Sequence, residues 1–213
     1  MLGVKNQKIV NIAWFYPRDT TLIKQYKRLT EAGARAVVLV ANDDEGAILV
    51  REVAALPPSQ RVPIVSHWGI TGGEFVKQAG AALQEVDLSV IQTFSFFTAD
   101  KQMLARFMKT ATLTGGIQRI EDIRAPVGVA HAYDLMHILA KAINLARSTD
   151  RSAIRDALEK VPEHRGLIKL YQPPFTPARH EALGPAESLM ARYSRDGVPS
   201  VTLAARAPHG ESG

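Results

Sequence analysis

The chain has 213 residues, no cysteine and a formal net charge of +5 at pH 7. The lack of cysteine excludes disulfides, thiolate catalysis and cysteine-ligated metals. No apolar run approaches the ~20 residues that a membrane-spanning helix needs. Basic residues alternate with acids along predicted helices, as in Lys24, Lys27 and Glu31, which favours solvated helix faces over a nucleic-acid surface.

The first half of the sequence alternates short apolar strands with amphipathic helices. The predicted strands are residues 8–15, 35–40, 62–65 and 88–93. The predicted helices between them run from Thr20 or Thr21 to about Ala32, from Glu45 to Leu56 and from Gly73 to Ala79. Short connections in this order predict an α/β fold with a parallel sheet. The strand at residues 35–40 is mostly apolar, so we expect it to be covered on both faces.

Residues that cap or end helices mark the boundaries between these elements. Thr20 or Thr21 is the expected N-cap of the first helix, and Gly33 is expected to end it. Residues 42–44 are expected to cap the second helix. Thr71, with Glu74 three residues later, predicts the N-cap of the third helix.

The second half of the sequence is mainly helical. Helices are predicted at residues 100–112, 127–146 and 152–160, the last of them capped by Asp150. The helix at residues 127–146 is apolar on more than one face, which predicts that it is well buried or needs a further layer to cover it. A strand is predicted at residues 166–171, followed by a hairpin at 188–203 around Asp196-Gly197 and a disordered tail.

The order and spacing of several segments resemble a known family. The segments are Asn42-Asp-Asp-Glu-Gly46, Ser66-His-Trp-Gly-Ile-Thr-Gly-Gly73, Gln92-Thr-Phe-Ser-Phe96, Ala130-His-Ala-Tyr-Asp134 and residues 166–183. Together they resemble the leucine and branched-chain-amino-acid type of periplasmic binding protein, which is the type I substrate-binding component of ABC importers. Members of that family have two Rossmann-like lobes with the ligand between them.

The resemblance implies that this chain corresponds to the carboxyl-terminal part of such a protein. Residues 7–97 would be a Rossmann-like ligand-binding lobe, and residues 98–165 would be helices of the other, incomplete lobe. Residues 166–203 would be a return segment and hairpin on the first lobe, and residues 204–213 a disordered tail. A chain of this kind would be N-terminally truncated and impaired in closing on its ligand.

The implied function is solute binding without catalysis. The implied ligand is an amino acid, an amide or a related small organic solute, and the implied partner is an ABC-transporter permease, with no cofactor. The implied location is the periplasm, although residues 1–8 contain no apolar signal-peptide segment, so Met1 as the true start would predict a cytoplasmic protein. Exposed helices of the incomplete lobe would allow self-association.

Six residues at the carboxyl ends of the predicted strands are the candidate ligand contacts. They are Tyr16, Asn42, Asp43, Glu45, His67 and Trp68. Aromatic rings supply apolar area, and short polar side chains orient a ligand. The alternative is structural: aromatic rings cover the end of the sheet, and polar side chains cap a helix.

One candidate departs from the family pattern. Amino-acid binders that this chain resembles usually have an acidic residue where Trp68 lies. An indole cannot pair with an ammonium group as a carboxylate does, although it can stack or make a cation–π contact. Aromatic ligands, carboxylates and amides therefore remain open beside amino acids.

Other chemistries have weaker support in the sequence. His131 and Asp134 are three residues apart on a predicted helix, but a structural histidine is favoured over a metal site, and we predict no metal. Ser66-His67 lacks the G-x-S-x-G elbow of α/β-hydrolases, and residues 69–73 lack the spacing of a nucleotide-binding loop. A cytoplasmic sensor domain or a small α/β enzyme is the alternative to a transport protein.

Overall fold

The computed structural model describes residues 8–194 and 199–202. Contacts between residues divide the chain into two compact units. Unit 1 comprises Met1–Gln92 and Ser188–Gly213, and unit 2 comprises Thr93–Glu187. The expected lobe boundaries near residues 97 and 165 stay predictions. The expected turn at Asp196-Gly197 and the expected tail at residues 204–213 lie outside the described residues.

The helices and strands of the described residues follow the chain in this order. The strands are β1 (Val37–Leu39), β2 (Ile64–His67), β3 (Leu88–Gln92), β4 (His164–Arg165), β5 (Leu170–Tyr171), β6 (Leu189–Tyr193) and β7 (Pro199–Thr202). The α-helices are α1 (Ile23–Glu31), α2 (Asp43–Ala54), α3 (Phe75–Ala79), α4 (Lys101–Gly115), α5 (Pro126–Ala146) and α6 (Arg151–Leu158).

Unit 1 is built on a mixed five-stranded sheet with the order β1-β2-β3-β6-β7. β1, β2 and β3 are parallel and are joined through α2 and α3, which is the α/β arrangement that the alternating sequence pattern predicts. β6 pairs antiparallel with β3, and β7 pairs antiparallel with β6. Apolar side chains of α1, α2, α3 and the sheet form one core around Tyr26, Val50, Ile64 and Phe75.

The strand predicted at residues 8–15 does not form. β1 pairs directly with β2. Hydrogen bonds of this segment involve side chains: the Ile12 backbone N–H donates to Asn11 Oδ1 (2.8 Å), and the Gln25 side-chain amide donates to the Trp14 carbonyl (3.5 Å). Its apolar side chains are largely exposed, with Ile9 at 80% and Trp14 at 83%. A strand needs a ladder of inter-strand hydrogen bonds, so a β-favouring composition alone did not decide the structure here.

The prediction that the strand in residues 35–40 is covered on both faces is also wrong. Val37 and Leu39 are buried, whereas Val38 between them is 79% exposed. β1 lies at the edge of the sheet. One face of β1 packs on the core, and no helix of the described residues covers the other, so its side chains alternate between buried and exposed.

Three of the predicted N-caps are wrong. α2 begins at Asp43, and Asn42 before it makes no capping hydrogen bond with its side chain. α1 begins after Leu22 without a side-chain cap, because the Thr21 hydroxyl and the Leu22 N–H both donate to the carboxylate of Glu52. Thr71 lies in a 3-10 helix, Trp68–Thr71, where its hydroxyl donates to the carbonyl of Trp68 (2.7 Å). In both places a different hydrogen-bond partner was available to the threonine.

Two other boundary residues behave as predicted. Gly33 follows α1 with φ of +90°, a conformation that glycine adopts without strain. Asp150 caps α6 by accepting a hydrogen bond from the backbone N–H of Ala153 (2.9 Å). These signals were reliable because they depend on local geometry.

Unit 2 packs its helices around a cluster of aromatic and aliphatic side chains. Phe94, Phe96 and Phe107 form successive ring contacts at 4.9 and 5.1 Å between centroids. The strand predicted at residues 166–171 is instead a hairpin, in which β4 and β5 pair across a turn closed by the Gly166 N–H and the Lys169 carbonyl (2.9 Å). A side chain at Gly166 would collide with Asp134, because a Cβ there would overlap Asp134 Oδ2.

Helix α5 buries one stripe rather than several faces. The buried residues, Val127, Ala130, Asp134, Ile138 and Ala142, recur at spacings of three or four. On the other side Leu135, Met136 and Leu145 are 47%, 63% and 54% exposed. Of the two alternatives for this helix, thorough burial is therefore wrong within the described residues. The need for a further layer remains, because α5 leaves an apolar surface that no described layer covers.

Candidate functional site

Unit 1 contains a cavity of 540 Å³ beside the carboxyl ends of β1 and β2. Its walls come from residues 12–15 and Pro17, from α1, from the length of β1 and from the first turns of α2. Loops at the carboxyl ends of parallel strands are the usual ligand positions in open α/β sheets. The volume falls in the range of small-molecule sites, about 300–1,000 Å³.

Three of the predicted contacts line this cavity: Asn42, Glu45 and His67. Asn42 is the residue before α2, and its side chain makes no capping hydrogen bond. The structural alternative for Asn42, that it merely caps α2, therefore fails. The amide of Asn42 can donate two hydrogen bonds and accept others.

Glu45 supplies a buried carboxylate at the cavity. The residue is 9% exposed, and its Oε1 accepts a hydrogen bond from the backbone N–H of Arg18 (3.2 Å). Within the described residues its Oε2 has no hydrogen-bond partner. Glu45 lies in the first turn of α2, where the helix dipole favours an acidic residue.

His67 is held in one orientation by its own loop. Its Nδ1 accepts a hydrogen bond from the backbone N–H of Gly69 (2.7 Å). In the neutral ring the proton is therefore assigned to Nε2, which becomes a hydrogen-bond donor. Gly69 is required for this turn, because a Cβ there would lie 2.7 Å from the carbonyl oxygen of Ala41.

The other three predicted contacts lie outside the cavity wall. Tyr16 is 78% exposed, and Trp68 is 41% exposed and meets the His67 ring edge-on at 5.9 Å. Asp43 Oδ2 accepts a long hydrogen bond from the backbone N–H of Glu74 (3.4 Å). A role for these three in ligand contact stays a prediction.

Sequence reasoning missed the aromatic part of the wall. Trp14 and Phe15 line the cavity, but both were assigned to a strand. The signal was present, since three consecutive aromatic residues, Trp14, Phe15 and Tyr16, precede Pro17 in a segment with no helical spacing. Gln25 on α1 was missed as well, and its side-chain amide reaches the carbonyl of Trp14 (3.5 Å).

The Ser66-His67 pair has no hydrolase geometry. Ser66 is 1% exposed, and its hydroxyl donates to the backbone carbonyl of Leu39 (3.0 Å). The Nδ1 atom of His67 is occupied by the Gly69 N–H. Within the part of the chain that the structure describes, no group of three or more His, Cys, Asp or Glu side chains is placed to hold a metal ion.

His131 and Asp134, considered above as a metal pair, have separate structural roles in unit 2. His131 Nε2 contacts the Thr93 hydroxyl (2.8 Å). Asp134 is fully buried and accepts hydrogen bonds from the backbone N–H groups of Leu167 (2.5 Å) and Ile168 (2.9 Å) and from the Tyr171 hydroxyl (2.9 Å). Asp134 thus fastens the β4–β5 hairpin to α5.

A second buried histidine lies beside this anchor. His164 is 7% exposed and stacks between His137 and Tyr171, with ring centroids at 5.9 and 6.1 Å. Its Nε2 has no hydrogen-bond partner among the described residues. Burial, and after it the positive charge of Lys141, lowers the pKa of His164, and burial lowers the pKa of His131 in the same unit.

We expect unit 2 to lose stability as the pH falls below about 6.5, the ordinary histidine value. The pKa of folded His164 lies below that of the unfolded chain, so the unfolded state binds the proton first and the free energy of unfolding decreases. Urea unfolding followed by helical circular dichroism between pH 7.5 and 5 should show this slope. His164→Phe should make the free energy of unfolding less dependent on pH, and the control His180→Phe, at an exposed histidine, should leave that dependence unchanged. An equally steep dependence in His164→Phe would show that other groups cause it.

No protein-family model matches the sequence, and no curated protein matches it significantly. Solved structures do match the fold. A type 1 periplasmic binding protein from Bordetella pertussis is 21% identical with a TM-score of 0.71, over 88% of this chain and 51% of that chain. A leucine-binding protein, LivK, from Thermotoga maritima is 16% identical with a TM-score of 0.65, over 89% of this chain and 50% of that chain.

A fatty acid ABC-transporter substrate-binding protein from Thermomonospora curvata is also similar, at 14% identity and a TM-score of 0.65, over 88% of this chain and 47% of that chain. The chain therefore has the fold of type I periplasmic binding proteins, as the resemblance predicted, and spans about half the length of these neighbours. The neighbours are binding proteins rather than enzymes. Among the described helices, none has the length and apolarity to cross a membrane.

Proposed function

We propose that the chain acts as the solute-binding component of an ABC importer, or as about half of one, and that unit 1 carries one side of the ligand site. The observation that supports this most is the cavity at the carboxyl ends of β1 and β2, with Asn42, Glu45 and His67 on its wall. A mostly apolar cavity with a few polar side chains is typical of a small-molecule site.

The proposed partners are a small organic solute and a transporter permease, and the proposed location is the periplasm. Support comes from the neighbours, which include a leucine-binding protein and a fatty acid ABC-transporter substrate-binding protein. The proposed role is binding without catalysis. In support of this, the hydroxyl of Ser66 and the Nδ1 of His67 are both engaged by backbone groups.

In the proposed mechanism of the intact protein, a ligand bridges two lobes and shifts an open–closed equilibrium. A chain with one complete lobe makes only part of the ligand contacts. The exposed apolar side chains of Leu135, Met136 and Leu145 on α5 support the idea that unit 2 belongs to an incomplete lobe. We therefore expect this chain to bind solutes weakly.

Isothermal titration of the full chain against amino acids, amides, aromatic acids and medium-chain fatty acids tests the proposal. We expect dissociation constants of about 1 mM or weaker, because one lobe supplies only part of the binding free energy. Asn42→Ala should weaken binding by about fivefold, since it removes one hydrogen-bonding side chain from the cavity. Asn144→Ala on the exposed surface of α5 is the matched control and should leave binding unchanged.

Two results would contradict the proposal, each in a different way. If no solute binds at concentrations of tens of millimolar, the chain is not a solute-binding lobe. If a solute binds a chain that light scattering shows to be monomeric with micromolar affinity, the site is complete and the chain is not half of a two-lobed protein.

A further inference from the structure

The cavity of unit 1 contains one charged group. Its described polar side chains are Gln25, Asn42, Glu45 and His67, and the others are apolar or aromatic. No lysine or arginine side chain lies among the described lining residues. Among the described lining residues, Glu45 is therefore the only one with a carboxylate, lysine or arginine side chain.

A buried carboxylate without a cation discriminates by charge. A ligand carboxylate would be placed next to Glu45 with no positive side chain on the wall to offset the repulsion and the loss of solvation. A ligand ammonium group would instead form a charge-assisted hydrogen bond with Glu45, at the oxygen that Arg18 leaves unoccupied. The carboxylate of Glu45 therefore favours the binding of an amine over that of an acid of the same size.

We propose that the solute of this cavity is an organic cation, with an apolar body and an ammonium or amidinium head that pairs with Glu45. The inference rests on the proposed solute-binding function and names the ligand class of the same site. The apolar body would lie against Trp14, Phe15 and the aliphatic wall. Glu45 Oε2 would accept one of the head-group hydrogens, and the side-chain Oδ1 of Asn42 would accept another.

His67 adds a second element of selectivity. Its Nε2–H is a donor in the neutral ring, because Nδ1 is bonded to the Gly69 N–H. It therefore matches an ether, hydroxyl or carbonyl oxygen on the ligand and not a second ammonium group. A monoamine matches these groups, whereas the second ammonium group of a diamine would face the Nε2–H donor of His67.

A series of matched probes tests the charge preference. n-Hexylamine, n-hexanamide and n-hexanoate share an alkyl chain and differ in the charge of the head. At pH 7 and constant ionic strength, titration of the full chain should show n-hexylamine binding at least about tenfold more tightly than n-hexanoate, because hydrogen bonds to charged groups are among the stronger ones.

Glu45→Gln should reduce the affinity for n-hexylamine by about tenfold and leave n-hexanamide within about twofold. The glutamine oxygen can still accept from the Arg18 N–H, so the loop keeps its anchor. Glu31→Gln, at the exposed end of α1, makes the same charge change outside the cavity and should leave all three probes unaffected.

The outcomes separate the two levels of the argument. Equal or tighter binding of n-hexanoate by the wild-type chain would overturn the cation inference while leaving a solute site in place. The cation inference would also be overturned if Glu45→Gln retained the circular dichroism of the wild type and bound n-hexylamine with unchanged affinity. If all three probes and the wider solute panel fail to bind, the proposed function itself is wrong.

Discussion

Asp134→Ala is expected to unfold most of unit 2. The fully buried carboxylate accepts hydrogen bonds from Leu167, Ile168 and Tyr171. Its removal leaves three donors without a partner, on buried Leu167 and Tyr171 and on half-buried Ile168, and each buried donor costs about 1–3 kcal/mol. The two buried donors alone give an expected loss of about 2–6 kcal/mol, a large part of the stability of a small domain.

The two units can be measured separately in one sample. Both tryptophans of the chain, Trp14 and Trp68, belong to unit 1, so their fluorescence during urea unfolding reports on that unit. Amide hydrogen exchange of α5 reports on unit 2. Asp134→Ala should lose protection in α5 and keep the tryptophan transition. Asp156→Ala, at an exposed ion pair with Arg155, should change neither, and full α5 protection in Asp134→Ala would show that the anchor is dispensable.

Gly69→Ala is expected to disrupt the candidate site and to destabilise unit 1. The added Cβ would lie 2.7 Å from the carbonyl oxygen of Ala41 and in closer conflict with the His67 ring. A backbone carbonyl cannot move away as a flexible side chain can, so the turn after β2 must shift. Overpacking of this kind costs about 1–3 kcal/mol, and it moves both Ala41 and His67 from the cavity wall.

Tryptophan fluorescence during urea unfolding should give a lower midpoint for Gly69→Ala than for the wild type. Isothermal titration should show that Gly69→Ala also binds solutes more weakly. Gly128→Ala is the matched control, because a Cβ at this position in α5 meets only the Ala125 Cβ at 3.9 Å. That substitution should leave the tryptophan midpoint unchanged. An unaltered midpoint in Gly69→Ala would mean that the contact between β2's loop and Ala41 is looser than the structure indicates.

The parts of the fold that local patterns determine were predictable. α2, α4, α5 and α6 lie close to their predicted ranges, because apolar residues recur at helical spacing and residues such as Asp150 provide local caps. The three parallel strands were predictable from short apolar runs between those helices. The resemblance to type I periplasmic binding proteins rested on the order of these elements together with their loop motifs.

The parts that depend on distant partners were not predictable. Residues 8–15 have a strand composition, but β1 takes β2 as its neighbour and leaves them outside the sheet. Thr21 has the chemistry of an N-cap, but Glu52, 31 residues away, accepts its hydroxyl. The role of Asp134 depends on backbone groups more than 30 residues away, and no single-sequence pattern specifies such a pairing.

The candidate site was predictable in position and only in part in composition. The rule that ligands lie at the carboxyl ends of parallel strands predicted Asn42, Glu45 and His67. These three residues share the cavity wall. Tyr16 precedes a turn closed by Asp19 and lies outside that wall. Trp14 and Gln25 entered the wall because residues 12–17 lie beside β1 without joining the sheet, an arrangement that sequence periodicity does not encode.

The central claim is that the cavity of unit 1 is where this chain holds a solute. Nuclear magnetic resonance of the ¹⁵N-labelled full chain, titrated with the solute that binds most tightly in calorimetry, tests it directly. The account predicts that the largest amide shifts fall on residues 37–45 and on His67, around the cavity. Saturable shifts that fall instead within unit 2, with these amides unmoved, would contradict it.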